Sequence, residues 1–193
     1  MRVIEEIKYV KRAARGDSRA NEELVNLYQG PVYNLCFRMV GNAEDAADMS
    51  QEAFLKAWKN LAGFQFESAF STWLYRLASN CCLDFLRSKK RRPTISLVMS
   101  NDEEEEQVMD VEDTAPGPEE QLFTREDREI LQKALGEIDP EQRQILTLRV
   151  VNDLSYGEIA EILGIKEGTV KSRLSRAREN LRKKVLQIGN KTV

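Results

Sequence analysis

The chain has 193 residues, 41% of them hydrophobic and 32% charged, and contains no histidine. That balance belongs to a globular protein, and the lack of histidine excludes His-based acid–base catalysis, His-containing triads and His-ligated metals. No apolar run approaches the roughly 18 residues needed to cross a bilayer, and Glu5, Glu6 and Lys8 interrupt the first apolar stretch, so the expectation is a cytoplasmic chain without a signal peptide.

Charge divides the chain in three. Met1 to Arg92 carries 15 basic and 11 acidic residues, Pro93 to Thr124 carries 10 acidic and no basic ones, and Arg125 to Val193 carries 14 basic and 11 acidic ones. Two mildly basic bodies, 1–92 and 125–193, are thus expected on either side of an acidic linker, 93–124, a pattern that suits polyanion binding by the bodies. The linker holds Pro93, Pro116, Pro118 and the run Asp102 to Glu106. Like-charge repulsion and proline oppose packing there, so it reads as flexible, either a solvated spacer or a tether along a basic channel of a partner.

Helical spacing dominates the first body. Leu24, Val25, Tyr28, Val32, Leu35, Cys36, Met39 and Val40 recur every three or four residues. Gly16-Asp17 opens this helix and Gly41-Asn42 closes it, and Gly30-Pro31 predicts a kink. A second helix over about Ala43 to Leu61 is expected to bury Ala47, Phe54, Trp58 and Leu61. Its other face shows Asp48, Gln51, Glu52 and Leu55, which reads either as ordinary surface or as a docking face for a basic partner. The loop AGFQFESAF brings Phe64, Phe66, Ser68 and Phe70 toward the next helix. That helix has a core stripe of Phe70, Trp73, Leu74, Leu77, Ala78, Cys81 and Phe85. Arg76, Asn80, Arg87 and Arg91 share another face, and the helix ends on five positive charges between Arg87 and Arg92. The helix macrodipole favours some of that charge, and aromatics beside a basic track also suit single-stranded nucleic acid. The three cysteines, Cys36, Cys81 and Cys82, have no C-x-x-C spacing and read as small buried residues.

In the second body, Asp139-Pro140 is a helix start, Ser155 to Glu158 a capping box and Gly164 a left-handed stop. Another helix follows at once, so the pair forms a helix-turn-helix pattern. On its last helix Val170, Leu174, Ala177 and Leu181 form one stripe. Lys171, Ser172, Arg173, Ser175, Arg176 and Arg178 lie off that stripe, the mix of small, hydrogen-bonding and basic residues that a major-groove helix needs. The fold class expected is all-α, in two small helical domains. No P-loop, metal-ligand cluster or activated nucleophile is present, so no catalytic residues, metal, cofactor or small-molecule substrate are expected. A stand-alone helix-turn-helix regulator explains the second body equally well but leaves the aromatic–basic helix and the acidic linker without a role.

The motifs SQEAFLKAW, AFSTWLYRLASN and LSYGEIAEILGIKEGTVKSRLSRARENL, in this order, resemble bacterial RNA polymerase sigma factors of the extracytoplasmic-function class. The resemblance implies a region-2 domain to about Arg92 and a region-4 domain from about Arg125. It implies that the partners are core RNA polymerase, promoter DNA and an anti-sigma factor, often membrane-anchored, which would hold the chain at the inner face of the membrane. By the same resemblance Asp48, Gln51, Glu52 and Leu55 would dock on the polymerase. Phe64, Ser68, Arg76, Asn80 and Arg87 would hold the −10 element, with one base extruded. Lys171, Ser172, Arg173, Ser175, Arg176 and Arg178 would read the −35 element. The linker would run through the polymerase's active-site and RNA-exit channel.

Overall fold

The computed structural model describes residues 2–91 and 125–190, and the expected linker lies outside the described residues. Eight α-helices and one short 3₁₀ turn make up the described residues. The first four are α1 (Arg2–Ala13), α2 (Ser18–Val40), α3 (Ala43–Asn60) and α4 (Phe70–Arg91), with the 3₁₀ turn Leu61–Gly63 between α3 and α4. The others are α5 (Arg125–Glu137), α6 (Pro140–Val150), α7 (Tyr156–Leu163) and α8 (Glu167–Gly189). None is long and apolar enough to cross a membrane.

The helix ends form where short polar side chains and glycine satisfy the unpaired main-chain groups of the terminal turns. The Asp17 carboxylate accepts from the N–H groups of Arg19 and Ala20 at the start of α2, and Gly41, at φ 94°, closes that helix. Asn42 then caps α3 by accepting from the Asp45 N–H. Asp139 caps α6, and Ser155 and Glu158 cap α7 reciprocally. Gly164, at φ 63°, makes the tight turn into α8. α2 runs as one helix through Gly30-Pro31, the expected site of a kink.

Most of the first body's core follows the spacing in the sequence. Leu24, Val32, Leu35, Cys36 and Met39 of α2 are fully buried. On α3 the buried stripe is Ala46, Met49, Ala53, Phe54 and Ala57, whereas Ala47, expected inside, is exposed. The stripe is turned by one residue because α3 is held between α2 and α4, and its small residues let those helices approach closely. All three cysteines are buried and unpaired by disulfides. Hydrogen bonding to Cys82 and burial push the Cys36 thiol far above its usual range.

α4 departs most from expectation. Phe70, Leu74, Ala78 and Cys81 are buried as expected, on one side of the helix. Thr72, Tyr75, Ser79 and Leu83 are buried too, and at about 100° per residue they form a separate stripe on the far side. α4 packs on α2 and α3, and also on α6 and α7 of the second body. The two bodies therefore meet. α2 packs against α5 and α6 as well, and one continuous apolar core runs from Val10 to Ala177.

Candidate nucleic-acid interface

On α3, the side chains of Asp48 and Gln51 are exposed and Leu55 is 53% exposed. A large aliphatic side chain that exposed, beside an acid and an amide, has no use in the chain's own core. Glu52 is half-buried and holds Lys56 at 2.7 Å, while the Lys56 ammonium also reaches the Cys81 sulfur at 3.3 Å. The Glu52 carboxylate keeps Lys56 above the usual lysine range.

The loop before α4 holds an aromatic nest. The Phe64 ring lies 4.9 Å from Phe66, 5.0 Å from Trp73 and 6.0 Å from Phe70. Phe64 is half-buried in this nest, as is Ser68 at the loop's edge. Phe66 is the outward ring. It is 41% exposed, its backbone sits at φ 58°, and the Lys11 ammonium of α1 lies 5.5 Å above it. A left-handed phenylalanine is strained, and such strain gathers at functional sites. In the sequence nothing separates Phe66 from Phe64 and Phe70. The alternation Phe64-Gln65-Phe66 was the available signal, but which ring faces outward depends on the loop's backbone.

From this loop, α4 presents Arg76, Asn80 and Arg87 within about 40° of one another around the helix. Asn80 and Arg87 are exposed and Arg76 is half-buried. This stripe adjoins the buried side chains of Thr72 and Leu83. Arg87 is paired with Asp84 of its own helix at 3.8 Å and with Glu141 of α6 at 3.2 Å.

α8 separates its faces cleanly. Val170, Leu174 and Ala177 are buried, Leu181 is partly so, and Lys171, Ser172, Arg173, Ser175, Arg176 and Arg178 are all exposed. Ser172 donates its hydroxyl hydrogen to the Thr169 carbonyl at 3.0 Å, which leaves its oxygen as an acceptor toward solvent. Tyr156, at the first position of α7, lies beneath two cations, Lys171 at 5.7 Å and Arg149 at 5.6 Å. Tyr156, Lys171, Ser175 and Arg178 line a shallow cleft. The sequence gives no sign of Tyr156's place here, because its contact with Lys171 depends on the turn between the two helices. Among the described residues no cluster of carboxylates and cysteines could hold a metal ion.

Residues 24–92 match the family "Sigma-70 region 2" and residues 128–181 match "Sigma-70, region 4". The chain is 35% identical over 178 residues to the ECF RNA polymerase sigma factor SigW of Bacillus subtilis, covering 92% of this chain and 95% of that one. It is 38% identical over 178 residues to the RNA polymerase sigma-H factor of Pseudomonas aeruginosa, covering 90% of each. Its fold is similar to that of the sigma factor RpoE of Bartonella quintana, solved in complex with the anti-sigma factor NepR, with a TM-score of 0.64, 23% identity and coverage of 86% of this chain and 96% of that one. The chain belongs to the extracytoplasmic-function sigma factors of the sigma-70 family.

Proposed function

We propose that the protein is a promoter-specificity subunit that binds core RNA polymerase, recognises −10 and −35 promoter elements and promotes duplex opening, with no covalent chemistry of its own. The observation that carries this reading is the presence of both sigma-70 regions in order on one chain, each with an exposed polar and basic helix face. Residues 1–92 are the polymerase- and −10-binding domain, 93–124 the linker and 125–193 the −35-binding domain. Asp48, Gln51, Glu52 and Leu55 dock on the polymerase.

Phe64, Ser68, Arg76, Asn80 and Arg87 hold the −10 element. An extruded base leaves its stack, and that cost is offset by stacking on a ring and hydrogen bonds to its edge. The aromatic nest offers rings, and Asn80, further along α4, offers an exposed amide. Lys171, Ser172, Arg173, Ser175, Arg176 and Arg178 read the −35 element, with arginines able to take guanine edges or phosphates. An anti-sigma factor controls the protein, as it partners the Bartonella relative, and a membrane-anchored one would hold it at the membrane's inner face.

The test is transcription in vitro with core polymerase on a pool of genomic promoters, followed by sequencing of the starts. Selective initiation at promoters sharing two spaced elements is expected. A chain that protects duplex promoter DNA without polymerase, and leaves initiation unselective, would instead be a stand-alone helix-turn-helix regulator.

A further inference from the structure

We infer that Phe66 and Lys11 clamp one further nucleotide of the opened strand, its base against the Phe66 ring and its phosphate on the Lys11 ammonium. This nucleotide lies next to the one held by Phe64, Ser68 and Asn80, and the inference rests on the reading of those three residues as part of the −10 site. α1 carries none of them, so the clamp extends the site onto a second helix. Three observations carry it.

The first is the position of the ring. Phe66 is 41% exposed in the loop between the 3₁₀ turn and α4. Its ring lies 4.9 Å from that of Phe64, which turns inward onto Phe70 and Trp73. Phe64 therefore packs on the core, while Phe66 closes the nest on its solvent side. A nucleobase presents a flat π-face whatever its identity, and an outward ring takes that face by stacking.

The second is the backbone. Phe66 sits at φ 58°, a conformation that glycine adopts readily and that a side chain with a Cβ resists. Stability alone would be better served by glycine, because a ring so exposed gains less from burial than one in the core. Strain of this kind gathers where a residue contacts something outside the chain.

The third is charge. The Lys11 ammonium of α1 lies 5.5 Å from the centre of the Phe66 ring. Lys8, one turn earlier, is exposed as Lys11 is, whereas Arg12 is tied to Asp17 at 2.8 Å. A phosphate carries full negative charge and is a stronger partner for an ammonium than a ring face is. The flexible lysine stem can pass its ammonium from the ring to the phosphate of the base that replaces it there. Glu67, next in the loop, is exposed too, and its carboxylate opposes a phosphate on its own side.

The test uses holoenzyme assembled with core polymerase and a promoter from which it initiates. That promoter is supplied as a fork, duplex upstream of the −10 element and single-stranded within it, with 2-aminopurine at each unpaired position in turn. Phe66→Leu removes the aromatic face and keeps bulk, and Phe66→Trp restores such a face. The expected result is stacking-dependent quenching at one position that disappears in Phe66→Leu and returns in Phe66→Trp, with fork affinity about 5-fold or more weaker in the leucine variant. Lys11→Gln should reduce the slope of log affinity against log salt by about 0.7, the share of one single-strand phosphate. Phe66→Gly should melt no lower than wild type and bind the fork as weakly as Phe66→Leu.

Wild-type affinity and quenching in Phe66→Leu, with Asn80→Ala weakened, would overturn the clamp and leave the −10 reading standing. Equal losses in the leucine and tryptophan variants would also overturn it, since the ring would then act through packing. An unchanged salt slope in Lys11→Gln would overturn the phosphate contact, and a glycine variant melting well below wild type would overturn the argument from strain. If neither Asn80→Ala nor any Phe66 variant alters fork binding, the −10 reading fails and the clamp fails with it.

Discussion

Arg143 of α6 donates its guanidinium to the main-chain carbonyl of Met39 in the last turn of α2, across 104 residues of sequence. The same group also donates to the carbonyls of Gly136, at 2.8 Å, and Ile138. A helix C-terminus carries unpaired carbonyls and a partial negative charge, and a cation there answers both. Burial pulls this guanidinium below the usual arginine range, a sign of what desolvation costs it. Arg143→Ala is expected to lower stability by roughly 1–3 kcal/mol through carbonyls left without a donor, measured by urea unfolding against wild type.

Leu55 stands 53% exposed among Asp48, Gln51 and Glu52. If this face docks on polymerase, Leu55→Asp places a charge in the dry centre of the contact. The expected outcome is a loss of at least about 1 kcal/mol of affinity for core polymerase, the level that marks a residue carrying binding energy. Competition against a second sigma factor for limiting core enzyme measures it, and circular dichroism should be unchanged because Leu55 supports no core packing.

Asn80 is exposed on α4 between Arg76 and Arg87. Asn80→Ala should weaken open-complex formation at the cognate promoter and leave binding to polymerase intact. Permanganate footprinting of unpaired thymines and native gels of the holoenzyme separate the two effects. Normal opening would remove Asn80 from the −10 site.

Arg176 is exposed on α8 with nothing of its own body over it. Arg176→Ala is expected to lower −35-dependent transcription by about 1–3 kcal/mol, the worth of a bidentate base contact. Comparison on wild-type and base-substituted −35 elements checks it: if Arg176 reads a base, the variant no longer distinguishes the two templates.

Asp17 holds the start of α2. Its carboxyl lies below the usual aspartate range, first because Arg12 donates to it and then because the Ala20 N–H does. A depressed folded-state pKa means that the stabilisation is fully present above the unfolded value of 3.8 and is lost as pH falls through the lower folded one. Asp17→Ala should therefore melt at a lower temperature than wild type at pH 7, with the gap narrowing once the pH drops below the ordinary aspartate range. A gap constant from pH 7 to pH 2 would show that ionisation of Asp17 plays no part.

Local features were legible in the chain because they depend on neighbours in sequence. Asp17, Asn42, Asp139 and Ser155 cap helices within three residues of themselves. The 3.6-residue period placed Leu24, Leu35, Leu74 and Leu174 inside. The outward residues of α8 followed from the same angle, since one stripe of a helix faces its body and the rest faces out. The fold class and the family both rest on such short-range patterns.

What the tertiary structure alone decided is how far apart residues meet. Ala47 was expected inside and Ala46 proved to be there, because a stripe of small residues leaves the rotation of α3 to whichever helices flank it. Thr72 and Ser79 of α4 carry no apolar signal, yet they are buried, in a helix that packs on α2, α3, α6 and α7. Arg143 and Glu141 look like ordinary helix charges until folding sets them against Met39 and Arg87. Periodicity reports which side of a helix is dry, but a polar side chain becomes dry only when a distant partner covers it, and no local pattern encodes that partner.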